Sequence, residues 1–294
     1  MTTTPDLTGK TCVVTGASNG IGKVTAAALA SMGARVVMVC RDPARGEAAR
    51  AEIASASRND NVELLIADMG SQRQVRRVAA DIRGRHDRLD VLVNTAGAMN
   101  TTRTLTEEGI ETTWAVNHLA YFLLTNELLD MLRSTAPARV VSVASRAHTG
   151  ARIDFDDVHG ERKFQGYRIY GQSKLANILF TYELSRRLDG SGVTANCLHP
   201  GVVATGFGHN NNVDLFGRAF GVVLTAIRPF LINPERGAET SIYLAASPEV
   251  DGVTGTYFSN KKPVRSSPIS YDVDAAARLW QLSEEQTRAS TPTA

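Results

Sequence analysis

Short apolar runs recur along the chain at residues 11–15, 35–40, 62–66, 90–93, 139–143 and 193–198, with a seventh at 255–258. Each is continuous rather than alternating, the pattern of strands covered on both faces. Longer stretches with helical spacing lie between them, at 20–32, 44–57, 71–86, 109–132 and 170–188. Alternating strands and helices predict a parallel sheet with helices on both sides. Right-handed crossovers then favour a doubly wound α/β sheet. No linker rich in Pro, Gly or Ser breaks the alternation, and there is no internal repeat. Residues 1–294 therefore read as one domain, with a tail from about 261 to 294 packed on it.

Composition narrows the picture. Hydrophobic residues make up 43% of the 294 positions, enough for a core without metal or disulfide staples. Thirty-two Lys and Arg against 30 Asp and Glu give a formal net charge of +2. That balance offers no electrostatic case for nucleic acid or an anionic membrane. No run approaches the roughly 18 apolar residues of a membrane span. The opening Met1-Thr2-Thr3-Thr4-Pro5-Asp6 lacks the basic and apolar regions of a signal peptide. Cys12, Cys40 and Cys197 sit in or beside β-like runs, with no CxxC and no cysteine-histidine pair. Neither a disulfide framework nor a structural zinc is expected, and a reduced, cytoplasmic setting fits best.

The first strand ends in Thr15-Gly16-Ala17-Ser18-Asn19-Gly20-Ile21-Gly22-Lys23. A glycine-rich turn between a strand and a helix N-terminus presents backbone N–H groups and the positive helix end to a phosphate. The bland alternative is a tight turn before a helix, but the place at the first strand-helix junction favours a nucleotide. The second strand ends at Val39-Cys40-Arg41-Asp42, where an adenosine ribose would lie. An acid at the strand end would suit the free hydroxyl of NAD; Arg41 suits the 2′-phosphate of NADP. NADP(H) is therefore favoured over NAD(H), against the alternative that Arg41 is a solvated helix-end charge. Asp42 before Pro43 reads as a helix N-cap. Asp68 and Met69 follow the third strand, and Asn94-Thr95-Ala96-Gly97 the fourth, at the strand ends where such sheets bind ligands.

A second constellation carries chemistry. Tyr170 and Lys174 are four apart on a helical stretch and so share a face. Free tyrosine, with a pKa of about 10, is a poor acid-base catalyst near neutrality. A nearby ammonium stabilises the phenolate. Ser145 ends the fifth strand, where its hydroxyl can hold a carbonyl oxygen. Asn117 lies in a helical stretch, with a side chain suited to holding a water behind Lys174. His199-Pro200-Gly201-Val202-Val203-Ala204-Thr205 follows the sixth strand, where its backbone and Thr205 could fix a nicotinamide carboxamide.

Taken together, these motifs resemble the short-chain dehydrogenase/reductase family: T-G-x-x-x-G-x-G, N-x-A-G, the helical Asn, Ser, Y-x-x-x-K and P-G, in family order from Thr15 to Thr205. The segments 117–125, 170–177 and 255–258, with Ala277-Arg278-Leu279-Trp280, resemble its retinol dehydrogenase-like branch. The resemblance implies a seven-stranded parallel Rossmann sheet. It implies a tetrad in which Tyr170 is general acid for reduction and base for oxidation. Lys174 would lower the Tyr170 pKa and bind the nicotinamide ribose. Ser145 would position the carbonyl, and Asn117 would support a water relay. The cofactor-binding set it implies is Gly16, Ser18, Asn19, Gly20, Ile21, Gly22, Arg41, Asp68, Met69, Asn94, Ala96, Gly97, Tyr170, Lys174, Pro200, Gly201, Val203 and Thr205. Two departures stand out. Thr95 replaces the middle Asn of N-N-A-G, and no apolar anchor of the kind found in many membrane-bound retinol dehydrogenases precedes the first strand. Dimers and tetramers are common in the family, so a homo-oligomer is compatible with the sequence.

The stretch 215–231 is apolar with an interior Arg218 and a second basic residue, Arg228. Within about 206–232 it reads as a substrate lid for an apolar small molecule, with a peripheral membrane contact or a packed helix as alternatives. Asp154, Asp156, Asp157 and His159 match no metal motif and read as a solvated loop. His118 and His148 read as helix and loop residues, and His199 carries no assigned chemistry. The function expected is an NADP(H)-dependent oxidoreductase acting on a carbonyl/alcohol pair. Reduction of a carbon-carbon double bond at the same site, or a non-catalytic NADP-binding regulator, are the alternatives.

Overall fold

The computed structural model describes residues 5–201 and 233–288. The apolar runs become β1 (Thr11–Thr15), β2 (Arg35–Cys40), β3 (Val62–Ile66), β4 (Val91–Asn94), β5 (Ala138–Val143), β6 (Val193–Leu198) and β7 (Thr256–Ser259). All pair in parallel. An eighth strand, β8 (Lys262–Pro263), pairs antiparallel with β7. Asn260 and Lys261 between them both take positive φ, 49° and 61°, the conformation of a two-residue hairpin. The expected seven strands are thus seven parallel strands plus this short return. The sheet order is β3-β2-β1-β4-β5-β6-β7-β8. The winding direction reverses between β1 and β4, and ligands bind outside the strand C-termini at such a point.

Helices cover both faces: α1 (Gly20–Ser31), α2 (Pro43–Ser57), α3 (Gln72–Arg85), α4 (112–127), α5 (Leu129–Thr135), α6 (Gly166–Arg187), α7 (Pro234–Ala246) and α8 (Val273–Gln286). Alternate strand residues face opposite layers, which explains why the runs are continuous. Val13, Val37 and Val39 join one core with residues of α3, α4 and α6. Cys12, Val14, Val36 and Met38 join the other with residues of α1 and α2.

Three helical expectations change. The single helix expected over 109–132 begins at Thr112, passes through a π-turn at Ala115–Leu119, and breaks after Glu127 before α5. Helix α6 starts at Gly166, one turn ahead of Tyr170. Helix α7 is an addition, capped by Asn233, whose side chain accepts from Arg236 N–H at 2.9 Å with Pro234 opening the helix. The tail from 261 contains α8, whose Trp280 stacks on Phe180 at 5.8 Å and meets Phe122 edge-on at 4.9 Å.

Candidate active site

The glycine turn after β1 is built by close approach. A Cβ on Gly22 would lie 2.4 Å from the Gly16 carbonyl oxygen, so α1 can start this near the turn only without a side chain there. Asn19 caps α1 by accepting from Gly20 N–H at 2.8 Å, so its side chain serves the helix end. Across the switch point, Thr15 Oγ1 accepts from the N–H groups of Thr95 and Ala96 at 2.9 and 3.1 Å. That bond holds the Asn94–Gly97 turn against the glycine turn.

A cavity of about 700 Å³ opens along this edge. Gly16, Ser18, Arg41, Asp68, Met69, Ala96 and Gly97 line it, as the sequence suggested for an adenosine site. Asp68 is held by its own turn, Gly70 N–H donating to Oδ1 at 2.8 Å. Arg45 lines the same cavity and was missed. Its signal was the i, i+4 spacing from Arg41, legible once α2 is known to begin at Pro43. Neither arginine forms an ion pair among the described residues. Asp42 also lines the cavity, but its carboxylate caps α2 by accepting from Arg45 N–H at 2.9 Å. A glycine cradle, a helix N-terminus and two free guanidinium groups fit a phosphorylated dinucleotide. Gly20, Ile21 and Gly22 stand in the first turn of α1, outside the cavity wall.

Asn94 departs from the expectation that it faces this site. It is fully buried and donates to Thr125 Oγ1 at 3.1 Å, tying β4 to α4. Pro200 and Gly201 follow β6, with Gly201 N–H donating to His199 Nδ1 at 3.1 Å. Val203, Thr205 and the expected lid lie outside the described residues.

Ser145, Tyr170, Lys174 and Asn117 gather beyond this cavity. Gly171 makes the approach possible: a Cβ there would sit 2.8 Å from the Ala147 carbonyl oxygen. The 3-10 turn Arg146–His148 after β5 can therefore lie directly on α6. Burial pushes the Tyr170 phenol above its ordinary pKa, and the neighbouring Ser145 side chain opposes that rise. Lys174 is 3% exposed and donates to the Val143 carbonyl at 3.0 Å. Burial lowers its pKa to about 7. Its ammonium lies 5.8 Å from the Tyr170 ring centroid and 5.6 Å from that of Tyr121. As these side chains stand, burial dominates both partners, and the expected lowering of the phenol by the ammonium does not offset it.

Asn117 sits inside the π-turn, fully buried. Its amide accepts from Ala98 N–H at 2.7 Å, donates to the Ala98 carbonyl at 2.9 Å, and reaches Ser173 Oγ at 3.0 Å. The side chain is thus engaged with protein rather than turned to a water behind Lys174, as the sequence suggested. It fastens the turn after β4 to α6, and π-turns of this kind cluster at functional sites. Tyr121, four residues on, was also missed; its hydroxyl donates to the Ala96 carbonyl at 2.8 Å, and its ring faces Lys174.

The acidic loop is structural. Asp154 pairs with Arg168 at 2.6 Å, Asp157 accepts from Glu161 N–H at 2.7 Å, and His159 meets Gln286 at 3.1 Å. His118 is pushed down to about 3 by burial and contacts Ser283 at 2.8 Å.

A parallel sheet that reverses at β1/β4, with a glycine cradle there and a Tyr-Lys-Ser cluster beside it, defines a nucleotide-dependent oxidoreductase. Residues 10–215 match the family model of the short chain dehydrogenases. The chain belongs to the short-chain dehydrogenase/reductase family, in its retinol dehydrogenase-like branch. It is 44% identical over 287 residues to retinol dehydrogenase 14 of Mus musculus, covering 94% of this chain and 85% of that protein. Among solved structures, an uncharacterised protein from Mycobacterium Paratuberculosis aligns with a TM-score of 0.77 and 33% identity, covering 96% of this chain and 95% of that one. The Pseudomonas aeruginosa RhlG/NADP complex aligns with a TM-score of 0.68 and 26% identity, covering 86% and 95%. No helix among the described residues is long and apolar enough to cross a membrane.

Proposed function

We propose that this enzyme uses NADP(H) to interconvert a carbonyl and an alcohol on an apolar small molecule. The observation that carries the reading is Tyr170 with Ser145 as its neighbour beside buried Lys174, at the sheet edge that also bears the glycine turn. When bound, the nicotinamide cofactor supplies the hydride in reduction and accepts it in oxidation. Ser145 donates a hydrogen bond to the substrate oxygen and holds it against Tyr170. Tyr170 gives its proton to that oxygen as the carbonyl becomes an alcohol, and takes it back in the reverse direction. Lys174 binds ribose hydroxyls and, when charged, favours the phenolate. Asn117 keeps the turn after β4 and helix α6 in register around them.

Arg41 and Arg45 support NADP(H) over NAD(H), since both line the cavity without an acidic partner among the described residues. The RhlG complex with NADP supports the same preference. The apolar sequence of 215–231 and the retinol dehydrogenase relatives support an apolar alcohol or aldehyde. Cys12, Cys40 and Cys197, buried and free, support a reducing compartment such as the cytoplasm. The test is incubation with NADPH deuterated at nicotinamide C4 and a panel of apolar aldehydes and ketones. Deuterium on the carbinol carbon of the product is expected. NADPH binding without transfer to any carbonyl, or from any alcohol with NADP, would overturn the reading.

A further inference from the structure

Ser145 is gripped from behind by a buried histidine. His148 is 3% exposed. Its Nδ1 lies 2.6 Å from the Ser145 carbonyl oxygen. Its other nitrogen, Nε2, receives the backbone N–H of Ser267 at 3.1 Å. These partners fix the tautomer. A backbone N–H can only donate, so Nε2 is bare; Nδ1 then carries the proton and donates to Ser145. Burial lowers the pKa of the ring and keeps it neutral, as one donor and one acceptor require. The ring packs edge-on against buried Tyr257 at 5.2 Å.

The far end of this link is also anchored. Ser266 Oγ meets Tyr182 Oη at 2.8 Å and Ser270 Oγ at 2.6 Å. Tyr182 belongs to α6, the helix that carries Tyr170 and Lys174. The path from Ser145 through His148 and Ser267 to Tyr182 therefore returns to the helix of the acid-base pair. We propose that His148 is a positioning residue, which locks Ser145 to the segment 266–270 and so sets the serine hydroxyl in register with Tyr170. The inference deepens the function proposed above and rests on it.

Three variants separate the parts. His148→Phe keeps a ring against Tyr257 and removes both hydrogen bonds. His148→Asn restores a donor at the Nδ1 position toward Ser145. Ser145→Ala removes the hydroxyl that His148 would position and keeps the carbonyl it holds. In His148→Phe, kcat should fall by about tenfold or more with the KM for NADPH unchanged. His148→Asn should recover most of that loss. His148→Phe combined with Ser145→Ala should be no slower than Ser145→Ala alone, because coupled residues are not additive. A kcat for His148→Phe within about twofold of the parent, or a fully multiplicative loss in the double variant, would overturn the proposal. So would failure of Asn to do better than Phe. An imidazole ¹⁵N spectrum of the unsubstituted protein needs no turnover. A neutral His148 protonated at Nδ1 is expected near pH 7; a proton on Nε2, or a charged ring, would overturn the link. If no carbonyl or alcohol substrate turns over, the functional reading falls and this spectrum decides the His148 link by itself.

Discussion

Arg41 and Arg45 are the single side chains on which the proposed preference for NADP(H) rests. Both residues line the cavity of about 700 Å³, with no carboxylate paired to either guanidinium among the described residues. A hydrogen bond to a charged group contributes about 1.5–3 kcal/mol, so each Arg→Ala change should weaken NADPH binding roughly 10- to 100-fold. NADH binding should hardly change. Fluorescence titration checks both; equal loss for the two cofactors would assign the arginines to general phosphate attraction. Arg41 was legible because it follows β2, where an adenosine ribose would lie. Arg45 was not, because its direction depends on where α2 begins. Tyr170, Lys174 and Ser145 were legible by spacing and order. Their protonation was not: burial of Lys174 and Tyr170 is a property of packing, and it outweighs the neighbour effect that the spacing suggested.

Among the elements, the glycine turn and α1 make the sharpest claim. Gly22→Ala would place a methyl 2.4 Å from the Gly16 carbonyl oxygen, a backbone atom that moves only with the turn itself. Overpacking of this kind costs about 1–3 kcal/mol. Thermal unfolding should show that loss together with weakened NADPH binding; a stable variant with normal affinity would mean that the turn has room. The strands were readable because both faces are apolar. The π-turn at Ala115–Leu119 was not, since one widened turn hardly disturbs a helical hydrophobic pattern. Helix α8 shows a readable stripe in Ala276, Leu279, Trp280 and Ser283, all buried, yet the sequence alone did not say which helices it would cover. It lies against α6, with Trp280 between Phe122 and Phe180.

For the molecule as a whole, Asp90 joins the start of β1 to β4 and sets how stability responds to acid. It is 4% exposed and accepts from Thr11 N–H at 2.9 Å, from Arg88 at 2.7 Å, and pairs with Lys10 at 3.1 Å. Burial alone would raise its pKa; Arg88, Thr11 and Lys10 outweigh burial and hold it below the ordinary aspartate value. A carboxylate lowered in the folded state stabilises the fold above its unfolded pKa, and that contribution is lost as pH falls through the folded value. Asp90→Asn should therefore cost about 1–3 kcal/mol near neutrality. The difference from the parent should shrink as pH falls below the ordinary aspartate range. Urea unfolding at a series of pH values reads this directly, and a penalty independent of pH would contradict it.

The central claim is that Tyr170 moves the proton while the glycine turn and arginines hold the cofactor. The most direct measurement pairs NADPH titration with turnover of an apolar carbonyl in Tyr170→Phe. Removing a general acid-base group costs about 10²–10⁴-fold in rate. The account predicts a loss of that size with NADPH affinity retained. Turnover near the parent rate, in a variant that still binds NADPH, would contradict it.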